Sequence, residues 1–269
     1  MSNFSNIGFS VSTFEELQQL LEKVHGISRQ IKVNEGSYLV YTDGSGAELF
    51  IQFNKQNTNI GTNPHFKGKS KRTVCLTNII ERAESEFEGA FHCWAAPTEA
   101  DNPSGAYPFI FDVPDFKTIG HIDLPKNFDI QLAAFAHDIS VYDSEKEYYD
   151  NHTQQEGQLA AQAFIPTGLF SSEEESKNNK PPPALCVFSG VIKQFERKRN
   201  GLTNEEFYWL LVDTLGGEVD VVADIPFFEK EPVADGIIIG AFWLSGQLIN
   251  PPVRELKESK TFFQRLFGR

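Results

Sequence analysis

Two stretches of opposite charge hold the side chains best placed to do chemistry. Residues 54–72 (NKQNTNIGTNPHFKGKSKR) carry Lys55, Lys67, Lys69, Lys71 and Arg72 with no acid among them. Gly61 and Gly68 let backbone approach a ligand closely, so His65, Lys67, Lys69, Lys71 and Arg72 could gather around a phosphate or carboxylate. A strand-to-helix Walker spacing is missing, so the stretch is no nucleotide P-loop. The plainer reading is a solvated loop that pairs with the protein's own acids.

The second stretch is the hairpin EEFYWLLVDTLGGEVDVVAD at 205–224. Gly216-Gly217 between two alternating β-rich runs reads as a two-residue turn. That turn pairs Asp213 with Asp220 and Val212 with Val221. Tyr208, Leu210, Val212, Val219, Val221 and Ala223 then share a core face. Trp209, Leu211, Asp213, Glu218, Asp220 and Val222 share the other. Facing carboxylates beside an indole would make Trp209, Asp213, Glu218 and Asp220 an acidic surface for a cation or basic partner. Otherwise they form a solvated face with a nearby Lys or Arg as compensation.

Other chemical residues are scattered. His25, His65, His92, His121, His137 and His152 form no HxH, HxxxH or HExxH pair. His137 and Asp138 would point to opposite faces of a strand. Cys75, Cys93 and Cys186 are far apart and lack CxxC spacing, which suits free buried thiols in a reducing cytosol. Ser104, Ser189 and Ser245 lack the context of a hydrolase nucleophile. The expectation is therefore no catalytic residue, no metal and no cofactor.

The elements that must position these residues are mostly β. Phe is used 24 times and Met once, so the core is aromatic. Ile7–Val11 reads as a strand. Thr13-Phe-Glu-Glu16 is a capping box, and Phe14, Leu17, Leu20, Leu21 and Val24 follow helical spacing up to Gly26. Strands follow at 27–33, 37–42, 47–53, 73–81, 88–96 and 107–112. This predicts an N-terminal single-helix antiparallel α+β domain over 1–118. Residues 128–142 are apolar on both faces, a buried strand or bent strand pair; 143–163 read as helix. The acidic, proline-ended segment at 171–183 reads as a mobile loop. A meander then runs through 185–196, 205–214, 217–223 and 237–248.

The glycine-punctuated meander, with 128–142 as a fifth strand, resembles the pattern of OB-fold modules. The resemblance covers about 65 residues and implies a small β-barrel domain over 119–253. Such barrels bind oligonucleotides, sugars or proteins, so the resemblance leaves function open. DGSGAELFIQ is similar to part of a glyoxalase-like module. There Glu48 would hold a metal, but Ile7-Gly8-Phe9 lacks that family's first-strand ligand.

Residues 254–269 form an amphipathic tail. Wound as a helix, Leu256, Phe263, Leu266 and Phe267 share a side flanked by Lys257, Lys260 and Arg265. The net charge of −13 argues against a nucleic-acid backbone as main partner and favours basic ones. No apolar run approaches the span of a bilayer, and MSNFSNIGFS has no signal-peptide pattern, so a cytoplasmic location is expected. Together these features predict a binding protein that recognises a protein partner through acidic barrel surfaces and the tail. Two alternatives stand beside it. One is a small-molecule or anion site, or an enzyme site, at the domain junction. The other is single-strand nucleic-acid binding with Phe207, Trp209 and the basic run 197–199 as platform.

Overall fold

The capping box forms as its residues require. In the computed structural model, which describes residues 2–82, 85–152, 159–170 and 181–256, helix α1 runs Phe14–His25. The Glu16 amide donates to Thr13 Oγ1 at 3.2 Å, and the Thr13 amide donates back to Glu16 Oε2 at 3.0 Å. Leu20 and Val24 are buried, and the polar face stays in water. Among the described residues, no helix is long and apolar enough to cross a membrane.

Helix α1 covers a four-stranded antiparallel sheet of β1 (Arg29–Val33), β2 (Gly36–Thr42), β3 (Ala47–Asn54) and β4 (Asn59–Phe66), paired in chain order. Strand β4 was not expected: half of the supposed basic loop is a strand whose end, Pro64–Phe66, is buried. The expected strand at Ile7–Val11 does not form. A short 3-10 turn covers Ser5–Ile7, Gly8 follows at φ 77°, and Ile7 and Phe9 plug the core. Asn6 fixes this turn: its Nδ2 donates to the Ala136 carbonyl at 2.9 Å, and its Oδ1 accepts the Asp224 amide.

The remaining strands form one large mixed sheet. They are β5 (Arg72–Glu81), β6 (Gly89–Ala95), β7 (Pro108–Val113), β8 (Lys126–Tyr142), β9 (Ala163–Ile165), β10 (Leu185–Arg199), β11 (Glu206–Thr214), β12 (Gly217–Asp224) and β13 (Ile237–Leu248). Strand β5 pairs with β8, Arg72 opposite Ile130, so the position expected as a domain boundary near 118 lies within the span of this sheet's strands. Within 143–163, expected as helix, helix α2 takes Glu145–His152 and β9 begins at Ala163; residues 153–158 lie outside the described part. So do 171–180 of the expected mobile loop.

Five strands pair in a closed circuit. Strand β8 pairs in parallel with β12, β12 with β11, β11 with β10, β10 with β13, and β13 returns to β8, the last four antiparallel. Inside this circuit lie Leu210, Val212, Val219, Val221, Leu132, Ala134, Phe188, Ile238 and Phe242, all in one cluster. The opposite side of β11, β12 and β8 is also apolar. Phe207, Trp209, Leu211, Val222, Ala133 and Phe135 pack with Leu20 and Val24 of α1 and with Leu49 and Ile51 of β3.

The hairpin register differs from the expected one. Thr214 pairs with Gly217, so the turn residues are Leu215 and Gly216, and Asp213 faces Glu218 while Asp220 faces Leu211. Gly216 (φ 84°) supplies the positive φ that the second corner needs. The pairing moves by two residues, and since side chains alternate with period two, every residue stays on its expected face.

Removing the cap tests how much α1 depends on its local sequence. Thr13→Ala is expected to lower unfolding free energy by about 1 kcal/mol, read from the midpoint of a urea titration. An unchanged midpoint would mean that packing alone holds the helix.

Candidate functional site

Asp220 lies in the middle of β12 on the face turned toward the first sheet, and it is fully buried. Its carboxylate accepts N–H donors from the Lys69 amide (2.9 Å), the Ser70 amide (2.8 Å), the Trp209 indole (2.8 Å) and the Gln131 side chain (2.7 Å). Four donors fill the lone-pair positions of a carboxylate, which is how a buried acid is tolerated. The two amides belong to the tight Gly68–Ser70 link between β4 and β5. Gly68 is obligatory there, since a Cβ would come within 2.0 Å of Asp220 Cγ. Ser70 completes the link, donating its hydroxyl to the Leu132 carbonyl and accepting the Leu132 amide.

The chain of polar contacts continues from Gln131 into His65. Gln131 spends its NH2 on Asp220, so its Oε1 faces His65 Nε2 at 3.1 Å and accepts a hydrogen bond from it. That leaves His65 Nδ1 as the bare nitrogen, which accepts the Ser245 hydroxyl at 2.8 Å. A serine hydroxyl aimed at a bare imidazole nitrogen is the geometry of an activated nucleophile. Here both groups are closed to solvent, so no substrate atom reaches Ser245 Oγ, and the pair joins β4 to β13 and β8. Burial pushes the His65 imidazole down to about 3, against a smaller upward pull from Gln131.

The sequence-derived sites thus separate. Of the anion-site candidates, His65 and Arg72 are buried, whereas Lys67, Lys69 and Lys71 are exposed. Lys71 pairs with Asp129 at 2.9 Å. Lys69 bonds Gln194 and stands 4.6 Å from the Trp209 ring centroid, with Lys198 at 5.5 Å from the same centroid. His92 is elsewhere, with Thr77 Oγ1 2.6 Å from its Nδ1. Of the acidic set, Trp209 and Asp220 are interior; Asp213 and Glu218 are half-buried, and Asp213 accepts the Gln162 amide at 3.0 Å. Phe207, the proposed stacking platform with Trp209, is interior too. Glu48 is buried and takes the Thr42 hydroxyl at 2.8 Å; burial pushes its carboxyl up, with Thr42 opposing. Among the described residues, no cluster of His, Cys, Asp and Glu has the arrangement of a metal site. Of the tail set, Leu256 is exposed, while Phe263, Leu266 and Phe267 lie outside the described residues.

The sequence reading missed Gln131 and Ser70, and weighed Ser245 only as a nucleophile. For Gln131 and Ser245 the signal is a polar residue within an apolar run, as in DIQLAAFA and FWLSGQL; Ser70, set among lysines, carries no such signal. A buried polar side chain needs a partner, so such residues mark polar contacts between elements.

No protein-family model, curated protein or solved structure matches the chain.

His65 gives the network a pH signature. Its folded pKa lies below the ordinary 6.5, so between pH 6.5 and about 3 the unfolded chain binds one more proton than the native one. Stability from this group is complete above 6.5 and falls by about 1.4 kcal/mol per pH unit below it. Urea titrations at pH 7, 6 and 5 should therefore show a steeper loss for the native protein than for His65→Gln. Equal slopes would place His65 in contact with solvent.

Proposed function

We propose that this chain is a non-catalytic recognition protein that binds a protein partner through the segment following β13. The observation that supports this is a pair of exposed apolar side chains on a held strap: Val253 is 82% exposed and Leu256 53%. Apolar groups of this size left in water on an ordered segment favour a binding surface. The strap is fixed at intervals. The Ile249 amide donates to Asp129, Pro252 accepts the Gly120 amide, the Arg254 amide donates to Thr118, and Arg254 Nη1 meets Glu35 Oε1 at 3.0 Å.

Beside the strap lies an open cleft of ≈ 990 Å³, lined by Lys32, Asn34, Ser37, Lys55 and Leu256 among others. It runs along β1, which pairs only with β2 among the described strands. An edge strand next to an apolar strap suits an extended peptide segment, taken by main-chain pairing and one or two side-chain pockets. The strongly acidic body would draw a partner of net positive charge. Asp213 and Glu218 are the part of the hairpin's acidic set that could take part.

The closed circuit of β8, β12, β11, β10 and β13 fits an OB-like barrel in which the strand before the meander closes the ring. In this reading the outer face of β11 and β12, where OB barrels commonly hold ligands, is covered by the protein's own first sheet. That leaves the periphery for recognition. Stacking of bases on Phe207 and Trp209 would require removal of that sheet.

Affinity capture compares the full chain, a chain ending at Leu256, and the full chain carrying Val253→Ser and Leu256→Ser. A protein held by the full chain and at least tenfold weaker on the double variant supports the reading. Equal retention by all three, or no retained protein, contradicts it.

A further inference from the structure

Helix α1 carries more apolar surface than the protein buries. Phe14, Leu17 and Leu21 recur at the spacing that places them on one flank of a helix, beside the buried pair Leu20 and Val24. Leu17 and Leu21 are half-buried, and Phe14, the first residue of the helix, is 79% exposed. Ile27, just beyond the other end, is 63% exposed. An ordered helix with a phenylalanine and an isoleucine in water, one at each end of a leucine pair, presents an apolar strip that a further segment would cover. The strip has an acidic border. Glu15 and Glu22 are exposed, neither forms a salt bridge among the described residues, and Glu22 meets the Gln18 amide at 3.4 Å.

The chain holds a segment of the matching chemistry. Beyond Leu256 it reads KESKTFFQRLFGR, in which Phe262, Phe263, Leu266 and Phe267 are interleaved with Lys257, Lys260, Arg265 and Arg269 against a single acid, Glu258. The segment also starts in the right place. Leu256 lines the cleft with Lys32, Val33 and Asn34 at the end of β1, and β1 leads back from there to Ile27 and α1. A strand of five residues covers about 17 Å, which the polar stretch 257–261 spans when extended. Phe262 then comes level with the end of α1, a helix of about 18 Å, and the eight residues from Phe262 to Arg269 are long enough to follow it.

We propose that residues 257–269 cover the Phe14–Leu17–Leu21 strip of the same molecule. Their aromatic and leucine side chains lie on the strip, and Arg265 and Arg269 turn toward Glu22 and Glu15. The contact is separate from the partner-binding strap, since Val253 and Leu256 precede the segment. It makes the tail a built-in competitor: a basic, apolar segment of another protein binds this face of α1 only by displacing it.

Trypsin tests the contact on the full chain, because Lys260 and Arg265 are cleavage points within the segment and cleavage tracks the fraction of molecules in which it is free. The rate of cutting after Arg265, followed by mass spectrometry, should be at least about tenfold lower in the native protein than in the synthetic peptide KESKTFFQRLFGR. Phe14→Ser, and separately Glu15→Lys with Glu22→Lys, all at exposed positions, should each bring the rate back toward that of the peptide. The protection should be the same at every protein concentration. A native rate equal to the peptide's, or protection that persists in both variants, would overturn the contact. So would protection that grows with protein concentration, since the tail would then dock on a second copy.

Discussion

The carboxylate of Asp220 is the constraint on which the rest of the structure depends. It draws donors from the β4–β5 link, from β11 and from β8, so it binds the end of the first sheet to two strands of the second. A buried acid is costly unless every acceptor position is filled, and here the filling groups lie in three separate parts of the chain. Their registers are therefore set together. Gly68 can only be glycine, Ser70 must clasp Leu132, and Gln131 must turn its carbonyl to His65.

From that constraint follows a body closed on both faces of its hairpin. One face of β11–β12 lines the strand circuit; the other is sealed by α1 and β3. The aromatic residues that would otherwise offer a ligand platform are used as core. Ser245 and His65, a chemically suggestive pair, are used as a joint. Among the apolar side chains that remain in water are Val253 and Leu256 on the strap after β13, which is where we propose recognition.

Much of this was legible in the sequence where local rules decide. The α1 cap, the meander strands and the two faces of the hairpin all follow from spacing. The hairpin register did not. A Gly-Gly pair looks like the whole turn, but Arg72 and Tyr107 hold the Leu215 carbonyl and place the corner one residue earlier. These residues are over a hundred positions from the turn, so no window of sequence contains the cause. The interior position of Trp209 and Asp220 was hidden for the same reason: alternation places them opposite the core face, yet only the fold shows a second core there. Strand β4 escaped notice because Asn59, Gly61, Thr62 and Asn63 break any apolar alternation while its packing residues, Pro64, His65 and Phe66, sit at one end. The strand circuit was legible in part: its strands were readable, but the parallel pairing of β8 with β12 is a long-range contact.

The most direct test of the Asp220 constraint is a double-mutant cycle with Gly68. The Cβ at position 68 would meet the Asp220 carboxylate and nothing nearer. Gly68→Ala alone should therefore cost about 2 kcal/mol or more of unfolding free energy, and in an Asp220→Ala background it should cost close to nothing. Additive costs in the two backgrounds, beyond the few tenths of a kcal/mol that distant sites show, would contradict the claim that this carboxylate joins the sheets.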